Sequence, residues 1–529
     1  MSIVSVSFPL FALGLCVAYF LVPKRMQWWV LLAFSLGFYA LGGLTSLPWL
    51  LLTACSVWWF ARQIQAGADG EKEWLSAHKA DTTKEERAAR KAKGKKARRR
   101  LLVCCVLLNV GVLCAFKYVH FLLAQADRVA RLFGGGVTDS VRWLVPLGIS
   151  FYTFQTVGYL CDVYWGKTRA EKNPLKLLLF TSFFPQITQG PISNWGELAG
   201  ELFEPHSLDY QGFARGSQRL IWGYFKKMVV ANILAGCVGN VFAHYGEYTG
   251  LAVFLGALCY AVQIYADFSG YMDIMCGLCQ ILGIRLTENF DRPYFSKSIA
   301  EYWRRWHMSL GVWFKNYVYY PIAMAKWNQR LGKAAKNRLG KAFGSYLPAT
   351  VALVVTWLAT GLWHGASWSY IAWGGVNGLF IIFSMWMEGP YAKWKKALRI
   401  REDARLWRVF QVGRTFLLVT FIKVLPEVGT LADGLGLWKR IFTAGSLPHS
   451  VGELLPFVET YRSFAAALLG TGLMLWVSLL QRRGSVRERM ERKLPYLVRV
   501  FVFVVLFFMI VYFGVPASGG LGDFMYAQF

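Results

Sequence analysis

Charge is what this sequence has least of: Asp, Glu, Lys and Arg make up 17% of its 529 residues, against 55% hydrophobic and 16% aromatic. Soluble domains carry about a quarter charged residues, so a string of water-soluble domains is excluded and a polytopic membrane protein is indicated. Acidic residues are scarcer still, 30 against 58 basic ones. The net charge of +28 would suit nucleic acid if it were spread over a surface, but it lies in gaps between apolar runs: Lys84 to Arg100, Lys326 to Lys341, Lys393 to Arg408 and Arg482 to Lys493. Basic loops of that kind mark the cytoplasmic face of a membrane protein and its anionic lipid, and no nucleic-acid partner is expected. The 10 cysteines form no framework. Nearly all fall inside apolar segments and read as small buried hydrophobes. Cys276-x-x-Cys279 has redox or zinc spacing but no second pair beside it, so buried packing and no metal is expected. Also missing are a basic start and a small-residue cleavage site at the N-terminus, which reads as a retained first span. Repeats at solenoid or propeller periods, or the inverted repeats of transporters, are not evident.

What is present is a series of apolar runs. Those at Ser5 to Val22, Gln27 to Leu41, Leu47 to Ala61, Leu101 to Leu123 and Trp143 to Tyr164 form a consistent alternation. With the N-terminus outside, Lys24 and Arg25, the basic 84–100 stretch and Lys167 to Lys172 all fall inside. Further runs at Gln218 to Val241, Gly250 to Ala266, Leu406 to Val424, Ser463 to Leu480 and Tyr496 to Val515 bring the expectation to roughly eleven to thirteen membrane or re-entrant segments, an all-α polytopic fold. The expected layout is a single membrane domain over 1–529: N-terminal spans 1–61, a basic cytoplasmic loop 62–100, a catalytic core 101–390 and C-terminal spans 391–529. The 84–100 run, with ten Lys or Arg, reads as a loop helix lying on anionic lipid in preference to a cofactor-binding arm.

Four stretches depart from plain spans. Leu175 to Pro191 holds Phe183-Phe184-Pro185-Gln186 and Gln189-Gly190-Pro191, a composition suited to a broken segment buried in protein. Asp267 and Asp273 interrupt an apolar pattern; a structural role bonding backbone or a basic neighbour is preferred over acid/base work. Lys297 to Lys315 is amphipathic, with Tyr302, Trp303, Trp306, Leu310, Trp313 and Phe314 on one helical face and Arg304, Arg305 and Lys315 away from it. His307 sits at the edge of that face and by itself reads as core. Lastly, Gly361-Leu362-Trp363-His364-Gly365 lies within an apolar run from Tyr346 to Met385 that is long enough for two spans. His364 falls at their join. A titratable imidazole at membrane depth is a functional-site hypothesis, because polar groups there are costly unless partnered or wet.

Together these stretches resemble the bacterial branch of the membrane-bound O-acyltransferase family, most nearly its alginate-type acetyltransferases. The matching pieces are Pro146-Leu147-Gly148-Ile149-Ser150-Phe151-Tyr152-Thr153-Phe154-Gln155, Ser182-Phe183-Phe184-Pro185-Gln186, Gln189-Gly190-Pro191-Ile192, Gln263-Ile264-Tyr265, Asp267-Phe268-Ser269-Gly270-Tyr271, Glu288-Asn289-Phe290, Tyr302-Trp303-Arg304-Arg305-Trp306-His307 and Gly361-Leu362-Trp363-His364-Gly365-Ala366, in the family's order. The resemblance implies helices around a central tunnel. It also implies that His364 is the active-site histidine and that His307 fills the second catalytic position, which overrides the core reading of His307. Departures are Met272, where a small polar residue is common, and Val376-Asn377-Gly378, where Tyr-His-Gly is more usual; the role of that extra histidine is taken as absent.

Acyl transfer from a thioester to a hydroxyl needs a base and oxyanion stabilisation. A neutral imidazole suits the first task, and His307 would orient His364, donate to the oxyanion or hold the carbonyl. Trp303, Trp306, Trp363 and Trp368 either line a tunnel for an acyl-pantetheine arm or are interfacial and core aromatics. Arg304, Arg305 and Lys315 either attract donor phosphates at a cytoplasmic mouth or are ordinary inside-facing charges; Asp267 and Gln155 are further tunnel candidates. The expected function is transfer of an acetyl group from a cytoplasmic thioester donor, acetyl-CoA, with no bound cofactor, to a cell-surface polysaccharide outside the bacterial inner membrane. An extracytoplasmic partner acetyltransferase of the hydrolase type would assist. The alternatives are D-alanyl transfer to teichoic acid from a carrier protein, a proton-coupled transporter or glycan flippase, and a non-catalytic scaffold.

Overall fold

The computed structural model of the protein describes residues 2–139, 141, 144–445 and 450–516; Trp143, at the start of one expected span, lies outside them. Among the described residues there is no strand, only an isolated antiparallel bridge between Phe290 and Trp306. Seven helices of the described residues are long and apolar enough to cross a membrane, or eight if the bent pair Trp368–Trp386 and Glu388–Ala397 is one span; Ser7–Leu21 is a shorter apolar helix. This is an all-α polytopic membrane protein. The described residues form two compact units. One comprises Ser7–Phe213 and Cys279–Leu286, the other Ser2–Val6, Ala214–Leu278 and the described part of Thr287–Phe529.

In the first unit, α1 (Leu47–Ala77) and α2 (Lys84–Leu132) are far longer than a bilayer requires. The 49 residues of α2 extend about 73 Å at 1.5 Å per residue. Thr83 starts it with a capping box shared with Glu86. The basic stretch is therefore the first part of the same unbroken helix as the 101–123 span. Where the sequence suggested a separate loop helix, the basic stretch and the span are one continuous helix. Arg98 ties it to α1 through the Glu71 carboxylate (2.9 Å) and the Gly67 carbonyl (3.1 Å). The Pro- and Gln-rich segment is broken as expected: a helix over Pro174–Ser182 stops at Phe183 and restarts over Phe184–Ile187, with residues 177–187 all buried. Gln155, on α3 (Ile149–Tyr164), donates its amide to Gln186 (2.9 Å), which in turn donates to Ser193 (2.6 Å).

In the second unit, α4 (Tyr210–Tyr224) passes through a π-helical turn, Phe225–Ala231, into α5 (Asn232–His244). The wider turn carries Lys226 and Lys227, both buried. Opposite them, α6 (Gly250–Ile281) supplies the carboxylates. Lys227 pairs with Asp267 at 2.5 Å, and Lys226 and Arg219 share Asp273 at 2.6 and 2.8 Å. Charges at this depth persist because each has an opposite partner, the structural role read from the sequence. The remaining elements that build the site are α7 (Ile299–Arg305), α8 (Met308–Phe314), α9 (Lys341–His364), α10 (Trp368–Trp386) and α11 (Arg405–Val424).

Candidate active site

His364 is the last residue of α9, at the join between two spans where the sequence placed it. Gly365 is extended, and the Ser367 hydroxyl accepts from the Tyr370 amide to start α10. The two helices cross on glycine. A Cβ at Gly361 would stand 2.4 Å from the Tyr370 carbonyl oxygen, and one at Gly374 2.4 Å from that of Trp357. Small residues of this kind let helix backbones approach where no hydrophobic force drives them together. Gly374→Ala is accordingly expected to force α9 and α10 apart, at a cost of about 1–3 kcal/mol and with loss of turnover. A variant with unchanged melting temperature and rate would show that the crossing is not tight.

The His364 imidazole is 4% exposed. It meets Trp363 and Trp373 edge-on, at centroid distances of 4.9 and 4.8 Å, and lies nearly parallel to Tyr370 at 6.4 Å. Such a wall excludes bulk water and holds the ring in place.

The aromatic stretch before His307 is not one helix, as periodicity suggests. α7 ends at Arg305, Trp306 is extended, and His307 stands in the left-handed region with φ 47° and ψ 53° before α8 begins. A non-glycine residue is held there only when its surroundings demand it. Here the demand comes from residues 289–291. The Asp291 amide donates to the Arg305 carbonyl (3.0 Å), the Met308 amide to the Asn289 carbonyl (3.1 Å), and the Ser309 amide to the Asn289 side-chain oxygen (3.0 Å). Asn289, fully buried, thus fastens the start of α8, and Asp291 fastens the end of α7 on the other side of the break.

The imidazole of His307 is 2% exposed and meets Phe268 edge-on at 4.8 Å. Burial pushes its pKa down to about 3, so it is neutral at working pH. The ordinary value in the unfolded chain is about 6.5. Between these two values the unfolded chain binds the proton and the folded chain does not. Stability present above pH 6.5 is therefore lost as pH falls, by up to about 1.4 kcal/mol per pH unit from this group. His307→Asn is expected to flatten the fall in melting temperature between pH 6.5 and 5, and parallel curves for variant and wild type would contradict it.

The two histidines share Trp363, whose ring lies 6.3 Å from His307 and 4.9 Å from His364. A second tie runs from α7: the Trp303 indole donates to the Asn377 side chain (2.9 Å), and Asn377 donates to the Trp373 carbonyl (2.9 Å). Trp373 is the ring against His364. Asn377, at the departure from Tyr-His-Gly, thereby joins α7, which leads into the His307 turn, to α10, which carries the Trp373 ring against His364. Trp306 faces away into an aromatic cluster with Tyr302 and Phe290, while Trp368 is half exposed. Arg305 is paired with Glu301 (2.7 Å), and Arg304 and Lys315 are exposed. Asp267 is held by Lys227, directly before the Phe268 that touches His307. Gln155 belongs to the first unit. No cluster of His, Cys, Asp and Glu able to hold a metal occurs among the described residues.

Residues 169–334 match the family model of MBOAT, the membrane-bound O-acyltransferase family. The chain is 34% identical over 352 residues to a Pseudomonas aeruginosa protein named "Probable alginate O-acetylase AlgI", covering 66% of this chain and 62% of that one. It is 30% identical over 304 residues to the peptidoglycan O-acetyltransferase of Helicobacter pylori, covering 53% of this chain and 54% of the other. With the teichoic acid D-alanyltransferase of Bacillus subtilis it shares 27% identity over 292 residues, 52% of this chain and 67% of the other. The chain belongs to the membrane-bound O-acyltransferase family. It spans about three fifths of the length of the alginate-type relatives, 62% and 63% for two of them.

The family-model match contains His307 and stops before His364. Sequence reasoning quoted Asn289 only within a matching piece and gave it no role of its own, and gave none to Trp373 or Lys423. Asn289 had a signal, an amide between an acid and a phenylalanine. Lys423 had one too, as the last cation of the Leu406–Val424 run, after Arg408 and Arg414 and at its apolar end.

Proposed function

We propose that this protein is an O-acyltransferase that moves an acetyl group from a thioester donor on the cytoplasmic face, acetyl-CoA, to an acceptor hydroxyl beyond the bacterial cytoplasmic membrane. The acceptor is a cell-surface polysaccharide, reached directly or through an extracytoplasmic acetyltransferase of the hydrolase type. The observation that carries the reading is the pair of buried imidazoles, His307 and His364, on either side of Trp363. The acetylated products named for the alginate- and peptidoglycan-type relatives support the acyl group and the kind of acceptor.

In this reading the acceptor O–H gives its proton to His364 as its oxygen attacks the thioester carbonyl. His307, held neutral by burial, offers its ring N–H to the oxyanion. The C–S bond then breaks, and the leaving thiolate takes the proton back from His364. Free thiol is released for each acyl group moved, which separates the reaction from transport. Purified protein supplied with labelled acetyl-CoA, an acceptor polysaccharide and the partner acetyltransferase is expected to release one thiol for each ester formed. D-alanyl transfer predicts instead no reaction with acetyl-CoA and turnover with a D-alanyl carrier thioester. A transporter predicts passage of an intact solute with no thiol.

A further inference from the structure

Lys423 is the penultimate residue of α11 and is 5% exposed. A lysine near the end of an apolar helix ordinarily extends its stem toward water. This one turns inward. Its Nζ lies 3.2 Å from the centroid of the Trp306 ring, with Tyr302 and Tyr294 at 5.4 and 5.6 Å. Those rings are stacked: Tyr302 on Trp306 at 5.6 Å and 22°, Tyr294 on Tyr302 at 6.1 Å and 21°. Among the described residues Nζ has no hydrogen bond. Its electrostatic partners are the ring faces, whose quadrupoles attract a cation, and the carboxylate of Glu427, one turn further on. Phe290, the residue paired with Trp306 through its backbone, meets the Trp306 ring edge-on at 5.0 Å. The tryptophan is thus contacted by both a cation and a phenylalanine. The next residue is His307, in its left-handed turn.

We propose that Lys423 is a positioning residue for acyl transfer: its ammonium, seated on the face of Trp306, locks the Trp306–His307 turn and so holds the His307 imidazole between Phe268 and Trp363. This rests on the reading of His307 as a member of the reacting pair. Nothing in the arrangement brings Lys423 to the substrate itself.

The test is a pair of substitutions read in the full-length protein. Lys423→Met keeps the length and apolar bulk of the stem and removes the cation; Lys423→Arg keeps a cation that stacks on aromatic faces. Lys423→Met is expected to lower kcat about tenfold, with the KM for acetyl-CoA within about twofold, while Lys423→Arg stays within about threefold of wild type. In a Trp306→Leu background, Lys423→Met should change kcat by less than about twofold, since the ring it acts on is gone. The melting temperatures of the same four proteins give a cycle that needs no turnover. The lysine substitution should lower melting in the wild-type background and leave it unchanged beside Trp306→Leu. Equal turnover in the Met and Arg variants, or additive melting shifts, would overturn the proposal. If Trp306→Leu does not fold, the Met and Arg variants decide it by their turnover alone. A wild-type protein that releases no thiol would instead overturn the functional reading, leaving the melting cycle to judge the contact.

Discussion

His364→Ala is expected to lower acyl transfer by about 10²–10⁴-fold, the range for loss of a general base, while leaving the protein folded. The imidazole terminates α9, and alanine is at home at a helix end. Its neighbours Trp363, Trp373 and Tyr370 remain anchored by their own helices. The cost should therefore appear in turnover and hardly in melting temperature. Thiol release from acetyl-CoA measures it. Activity within a few-fold of wild type would remove His364 from the chemistry.

The largest effect on stability is expected from Lys227→Met. Lys227 and Asp267 are both almost fully buried, with side chains 2% and 4% exposed and 2.5 Å apart. Removing one partner of such a pair leaves the other charge in a low-dielectric interior, which typically costs about 3–5 kcal/mol. Substituting both, as Lys227→Met with Asp267→Leu, should recover most of that loss. Because Asp267 precedes the Phe268 ring that meets His307 edge-on, the single variant should also lose turnover at temperatures where it is still folded. Unfolding of the detergent-solubilised proteins checks the stability, and a single variant as stable as the double would contradict the account.

How much of this was legible in the sequence differs from element to element. The join at His364 was, because an apolar run too long for one span must break, and the glycines beside the histidine mark the place. The broken, buried segment before Pro191 was also legible, since proline and glutamine are costly in a lipid-facing helix. The turn at His307 was not. Trp303, Trp306, Leu310 and Trp313 keep helical spacing straight through it, and two short helices packed on one side satisfy that pattern as well as a single long one. The break is imposed by hydrogen bonds from Asn289 and Asp291, a tertiary cause without local trace. The continuity of the basic 84–100 stretch with the span was not legible, because composition reports charge and helix propensity but not whether the helix runs on. Lys423 was visible as a cation at the apolar end of its run, yet its destination depends on Trp306, which the fold alone brings beneath it.

The central claim, that an acyl group crosses from a donor on one side to a hydroxyl on the other by way of the His307–His364 site, is tested most directly in sealed vesicles. The protein is reconstituted with its cytoplasmic face outward, acetyl-labelled CoA is added outside, and a polysaccharide acceptor with its partner acetyltransferase is enclosed within. The account predicts free thiol outside and ester-linked label inside, both lost in His364→Ala. Intact acetyl-CoA within the vesicles, or label transfer that persists in His364→Ala, would contradict it.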